Sequence, residues 1–189
     1  MIDFQEFPKI ARLSRNCVIT EKIDGTNASV FVPEGDGPLL FGSRTRWITT
    51  AEDNHGFAAW GVAHEAELRT LGPGHHFGEW WGSGVQRGYG LTKGEKRFSL
   101  FNTARWADER DRGKYPIDRP ACCHVTPILY AGLFHSSVVE AVLEVLRLGG
   151  SLASPGFLSP EGVVIWHEAA RVLFKKTLHK DEGPKSKCS

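Results

Sequence analysis

The stretch VITEKIDGTNASVFV, residues 18–32, restricts the fold more than any other part of the chain. Its β-branched and aromatic residues describe an extended strand, yet Lys22, Asp24 and Gly25 interrupt it. A lysine inside a half-buried strand carries a desolvation cost unless a partner or a function accounts for it. Side chains alternate along a strand, so Lys22 and Asp24 are predicted to share one face, with Ile19, Glu21 and Ile23 on the other. An amine and a carboxylate then stand together beside the turn-prone Gly25-Thr26-Asn27. The plain reading is a lysine whose stem lies along the sheet and whose ammonium pairs with Asp24. The chemical reading is a nucleophile. An ordinary lysine has a pKa of about 10.4, and desolvation, a second ammonium or a metal cation is needed to make a useful fraction neutral.

The 189 residues suit one domain with a core large enough to do without disulfide staples. Strands are predicted over 17–32, 39–45, 75–81, 97–102, 125–130, 161–167 and 171–178, each bounded by Gly, Pro, Asp or Asn. PEGDGP between the first two predicts a hairpin over 17–45. A helix is predicted over 136–150, with Val138, Val142, Val145 and Leu146 at helical spacing, Ser136 or Ser137 as N-cap and Gly149-Gly150 as stop. A weaker helix covers 53–72, with Asp53 as a cap and Gly61 inside. The charge-rich 103–120 reads as an exposed excursion, and the polar tail as mobile. Antiparallel strands with a few covering helices make an α+β chain.

Composition excludes several classes. The net charge of +1 is not that of a polycation, so nucleic-acid binding needs a local patch. Cys17, Cys122, Cys123 and Cys188 form no CxxC pair and read as reduced thiols. The eight histidines show no zinc-ligand spacing. Neither a signal peptide nor an apolar run of about 20 residues is present, so a cytoplasmic protein with no membrane partner is expected.

KIDGTN at 22–27 resembles the K-x-D-G lysine motif of the covalent nucleotidyltransferases, which include ATP-dependent DNA and RNA ligases and mRNA capping enzymes. GSRTR (42–46), FGEWWG (77–82), FSLFN (98–102), EGVVI (161–165) and LFKKT (173–177) resemble that family's later motifs, in the family's order. The spellings EKIDGTN and FGEWWG are most similar to the ATP-dependent RNA ligase branch, although some of its members carry histidine at the position of Asp24.

The resemblance implies a nucleotidyltransferase core over 1–180, ATP-grasp-like, built of antiparallel sheets with the nucleotide pocket between them. A flexible tail over 181–189 follows, with neither an OB-fold nor a C-terminal helical domain. It implies that Lys22 attacks the α-phosphate of ATP, that AMP passes to a 5′-phosphate, and that a 3′-hydroxyl displaces it. Glu21 would lie near the adenine edge, and Asp24 and Asn27 would shape the lysine turn and touch nucleotide. Arg44, with Arg46 as competitor, would grip phosphate or sugar, and Phe101 would stack on adenine. Glu79 would bind ribose or, with Glu161, a divalent cation, Mg²⁺ or Mn²⁺. Lys175 and Lys176 both bind nucleotide in this reading. They face opposite ways and the family pattern is K-x-K, so which one meets the phosphate stays open, with Lys175 favoured. The implied partners are RNA ends or a nicked duplex, with a separate nucleic-acid-binding protein possible. Arg12, Arg15, Arg44, Arg46, Arg87, Lys93, Lys96 and Arg97 are candidate phosphate contacts. A DNA nick ligase core and a non-catalytic nucleotide- or RNA-binding module are the competing readings.

Overall fold

The computed structural model describes residues 2–107 and 119–179. Most of the predicted excursion (108–118) and the 181–189 tail lie outside the described residues. Where the excursion begins, Thr103–Trp106 form a single helical turn, α3, whose Trp106 is buried against His76 rather than exposed.

The described strands form two sheets, and the interrupted stretch joins them. β1 (Asn16–Lys22) belongs to a four-stranded antiparallel sheet with β8 (Ile128–Leu133), β9 (Gly162–His167) and β10 (Val172–Thr177), in the order β10-β9-β1-β8. β2 (Thr26–Val32) belongs to a six-stranded sheet with β3 (Leu40–Gly42), β4 (Trp47–Ile48), β5 (Gly74–Gly82), β6 (Lys96–Leu100) and β7 (Cys123–Val125), in the order β4-β3-β2-β5-β6-β7. Pairing there is antiparallel except for the parallel pair β6·β7.

The predicted strand 17–32 is therefore two strands, and the predicted hairpin is β2 with β3, Ser29 opposite Gly42 and Phe31 opposite Leu40. The predicted strand 125–130 is likewise cut, into β7 and β8. Both cuts are places where the chain passes from one sheet to the other, at 23–25 and at 126–127. The two crossings are neighbours, because Glu21 N donates to Pro127 O at 3.0 Å.

Each sheet buries one face under helices. Over the four-stranded sheet lies α4 (Ser136–Gly149), whose Val139, Leu143 and Leu146 pack on Cys17, Ile19, Val163 and Ile165. The buried stripe is displaced from the predicted one, and Val145 is 67% exposed. Apolar residues come in pairs at 138/139, 142/143 and 145/146, so periodicity alone does not choose between adjacent stripes. The helix begins just after His135, neither predicted serine caps it, and Gly150 ends it at φ 79°.

The predicted helix 53–72 breaks at His64 into α1 (Phe57–Ala63) and α2 (Glu65–Arg69). Gly56 rather than Asp53 is the N-cap, though the Asp53 carboxylate reaches the first turn and accepts from Ala58 N at 2.8 Å and Ala59 N at 3.0 Å. Phe57 and Leu68 then pack on Val30, Trp80, Phe98 and Leu100 of the six-stranded sheet. Each such fully buried side chain contributes about 1.5–3 kcal/mol. Among the described residues no helix is long and apolar enough to cross a membrane.

Candidate active site

Lys22 ends β1 opposite Gly162. Its Nζ donates to Glu161 Oε2 at 2.5 Å, and the Glu161 side chain is 2% exposed. Gly162 has φ 155°, and a Cβ there would meet Lys176 O. Only glycine fits this bend, which brings the preceding glutamate round to the lysine. The Lys22–Asp24 pair of the plain sequence reading does not form, because each residue takes a different partner.

Asp24 Oδ2 instead accepts from Arg87 Nε at 2.9 Å. The same guanidinium donates through Nη1 to Ser159 O at 2.9 Å and Pro160 O at 3.2 Å, directly ahead of Glu161. Arg87 thus ties the turn after the lysine to the approach of the glutamate. Tyr89 completes the tie, accepting from Asp24 N at 2.9 Å and donating to Lys22 O at 3.4 Å. Its hydroxyl is buried, which raises its pKa. Sequence reasoning assigned Arg87 to substrate and gave Tyr89 no role, because partners 63 residues apart leave no spacing signal. Arg87→Ala is expected to lower stability by about 2 kcal/mol, since it removes the guanidinium bond to the mostly buried Asp24 carboxylate and the donor to the Ser159 and Pro160 carbonyls. Thermal unfolding would show a fall in Tm of roughly 4–8 °C, and Arg87→Lys would recover less than half of it, since a point charge cannot span three acceptors.

Gly25 carries the chain across to the second sheet. A Cβ there would lie 2.4 Å from Trp80 O, 2.8 Å from Trp81 Cβ and 3.0 Å from Glu79 Cγ. This closeness lets Gly25 N donate to Glu79 Oε1 at 3.1 Å, while Asn27 Nδ2 donates to Glu79 Oε2 at 3.3 Å. Burial pushes the Glu79 pKa up to about 7, and the Glu161 and Asp24 carboxylates push the same way against Lys22 and the Gly25 N–H. An acid whose folded pKa is raised contributes stability that is full below its unfolded pKa, about 4.5, and is lost as pH rises through about 7. Urea unfolding without divalent cations should therefore show the wild type losing about 3 kcal/mol relative to Glu79→Gln between about pH 4.5 and pH 8.

The other nominated residues fall into separate places. Glu21 is 1% exposed, and its Oε2 accepts from Leu152 N at 2.8 Å and Ala153 N at 2.9 Å. Its side chain thus points away from the Lys22 face, and burial raises its pKa against the Ser151 hydroxyl and those two amides. Lys175 stands opposite Val164, itself opposite Thr20, which puts Lys175 on the Lys22 face. Lys176 is on the reverse face, where it pairs with Glu140 of α4. Phe101 is 41% exposed at the end of β6, its N–H bonded to Phe77 O, on the Glu79 face of the sheet. Phe98 is core, and so are both Trp80 and Trp81, because Ile23 and Tyr89 cover Trp81 at the crossing. Arg44 is exposed on the β3–β4 turn, and Arg46 beside it pairs with Glu52 at 3.2 Å. Arg97 lies over the Trp81 ring and bonds Glu95.

Among the described residues no three His, Cys, Asp or Glu side chains make a closed metal cage. Glu79 and Glu161 do supply two mutually repelling carboxylates beside Lys22. Mg²⁺ or Mn²⁺ bound with phosphates takes one or two protein carboxylates and fills the rest of its shell with water and phosphate oxygens, so this donor set fits. The cluster as a whole joins an amine, two acids and an open sheet face, which suits charge-neutralised phosphoryl chemistry.

Comparison with known proteins gives the same direction. The family profile described as RNA ligase matches residues 15–179. No curated protein matches the chain. Among solved structures, a mutant of Naegleria gruberi RNA ligase with ATP and Mn superposes at TM-score 0.59 and 21% identity, covering 87% of this chain and 49% of that one. Another mutant with AMP and Mn gives 0.58 and 22%, covering 87% and 50%. The same ligase with PPi gives 0.56 and 20%, also covering 87% and 50%. The chain spans about half the length of those ligase chains, and the likeness at this identity is one of fold.

Proposed function

This chain belongs to the RNA ligase family, and from that premise we propose that it is the nucleotidyltransferase core of an ATP-dependent RNA ligase, with Lys22 carrying the nucleotide. The observation that carries the reading is the 2.5 Å contact between Lys22 Nζ and the buried Glu161 carboxylate, at the joint between two sheets. A strand lysine with a purely structural role has no need of a partner so withdrawn from water.

In the first step Lys22 loses its ammonium proton to solvent, and the freed lone pair attacks the α-phosphorus of ATP. The Nζ–P bond forms, the P–O bond to the β-phosphate breaks, and pyrophosphate leaves with the electron pair. In the second step an oxygen of an RNA 5′-phosphate attacks the same phosphorus and displaces the lysine nitrogen, which regains a proton. In the third, a 3′-hydroxyl attacks the 5′-phosphate, loses its proton and releases AMP. Such transfers need positioning and charge neutralisation more than covalent help. Lys175, on the Lys22 face, meets phosphate charge, and Phe101 offers its ring to the adenine. A divalent cation held by Glu79 and Glu161 would neutralise phosphate oxygens when bound. Asn27 and Gly25 fix the Glu79 carboxylate, and Arg87 holds the Asp24 turn.

Cys17, Cys122 and Cys123 are free, and burial raises all three thiol pKa values. Thiols kept reduced suit a cytoplasmic setting.

The test is incubation with α-labelled ATP and Mg²⁺ or Mn²⁺, followed by a denaturing gel. Label that stays with the protein is expected. Absence of label with both cations would overturn the reading in favour of a binding module, and label from GTP alone would point to capping chemistry. Nicked RNA, DNA and hybrid duplexes then separate an RNA ligase from a DNA nick ligase.

A further inference from the structure

The Glu79 face of the six-stranded sheet carries a row of exposed rings beyond the adenylylation cluster. Register puts Asn27 opposite Glu79, Ser29 opposite Phe77 and Phe31 opposite His75, so these pairs share one face. Trp47 adds to the row from β4, opposite Gly42. Phe31 and His75 have ring centroids 4.7 Å apart, Trp47 and His75 5.7 Å with planes 25° apart, and His75 and Phe77 5.5 Å with planes 9° apart. Trp47 is 50% exposed and Phe77 59%. Large rings are ordinarily covered, and a contiguous exposed row of them marks a binding surface.

Three features identify the occupant. The row begins at Phe77, two residues from Glu79 and bonded through its carbonyl to Phe101, so it runs on from the proposed nucleotide site. The exposed Arg44 and Arg46 sit on the turn that leads into Trp47, where phosphates following the rings would pass. Trp47 with His75 and His75 with Phe77 are near-parallel and in contact, while Phe31 meets His75 at 48° and Trp47 at 61° from the side; the run of three stacked planes matches stacked bases better than the irregular apolar side of a helix. A base-paired duplex keeps its base faces stacked inside and cannot offer them to the sheet.

We propose that the Trp47–His75–Phe77 row is a stacking platform for unpaired nucleotides of the RNA strand whose end is held at Lys22. The identity of that end rests on the ligase reading, whereas the stacking does not.

The experiment compares Trp47→Ala/His75→Ala with wild type, using a short 5′-phosphorylated single-stranded RNA, an abasic strand of the same length, and the RNA annealed to its complement. The double variant is expected to bind the single strand at least about 10-fold more weakly. The slope of log affinity against log salt should not change, because no arginine or lysine is removed. Trp47→Phe/His75→Phe should restore binding, and the abasic strand should bind wild type weakly. Labelling from ATP should be the same in all these proteins. Unchanged affinity in the alanine variant would overturn the platform, as would an abasic strand bound as tightly as RNA, or an equal loss on the duplex. If ATP leaves no label on wild type but the alanine variant still loses single-strand binding, the ligase reading falls and the platform stands. If label forms and the variant binds RNA like wild type, the platform alone falls.

Discussion

Lys22→Arg is expected to fold like the wild type and to carry no label from ATP, a loss on the order of 10⁴-fold or more because the proposed nucleophile is gone. A guanidinium stays charged and does not attack phosphorus, yet it can still face the Glu161 carboxylate. Lys22→Ala should lose label equally and should also lose stability. It leaves Glu161, 2% exposed, without the ammonium that faces it. Removing one member of a buried ion pair costs about 3–5 kcal/mol, and the half-buried lysine puts this case near the lower figure. Labelling on a denaturing gel together with urea unfolding separates the two losses. An arginine variant that still takes label from ATP would mean that another residue bears the nucleotide.

Gly25→Ala should produce the second large effect, and here the cause is steric. The added methyl would lie 2.4 Å from the Trp80 carbonyl oxygen and 2.8 Å from Trp81 Cβ. Neither is the far end of a flexible side chain, so the strand itself must move. Overpacking of this kind costs about 3 kcal/mol, and Tm should fall by roughly 6–12 °C. The same movement withdraws Gly25 N from Glu79 Oε1, so label from ATP should drop even at temperatures where the variant is folded. A variant with wild-type Tm would show that the crossing is less confined than its contacts imply.

These two positions indicate what the sequence could and could not disclose. Lys22 was legible because a charge in an apolar strand stands out, Glu79 and Glu161 because FGEWWG and EGVVI resemble motifs of a known family, and the structure brings the three together. The interruption in 17–32 was legible at Gly25, but the change of sheet there was not. β propensity runs on through residue 32, and what stops the strand is the contact of Gly25 with β5, a residue pair far apart in sequence. The same holds at 126–127, where a second predicted strand is cut at the second crossing. Arg87 and Tyr89 escaped for a related reason, since their bonds reach back to Asp24 and Lys22 from a glycine-rich loop. The two lysines of β10 were ambiguous until pairing with β9 gave each a face. The helix stripe was ambiguous until α4 met the four-stranded sheet.

The adjacent crossings at 23–25 and 126–127 put both links between the two sheets side by side. If one sheet rocks against the other, every atom travels in proportion to its distance from the line through them. Lys22, one residue away, keeps its station. The far ends of the sheets, with Trp47 at one rim, sweep the widest arcs. Any such rocking would open and close the rims of the sheets while the Lys22 nitrogen barely stirs.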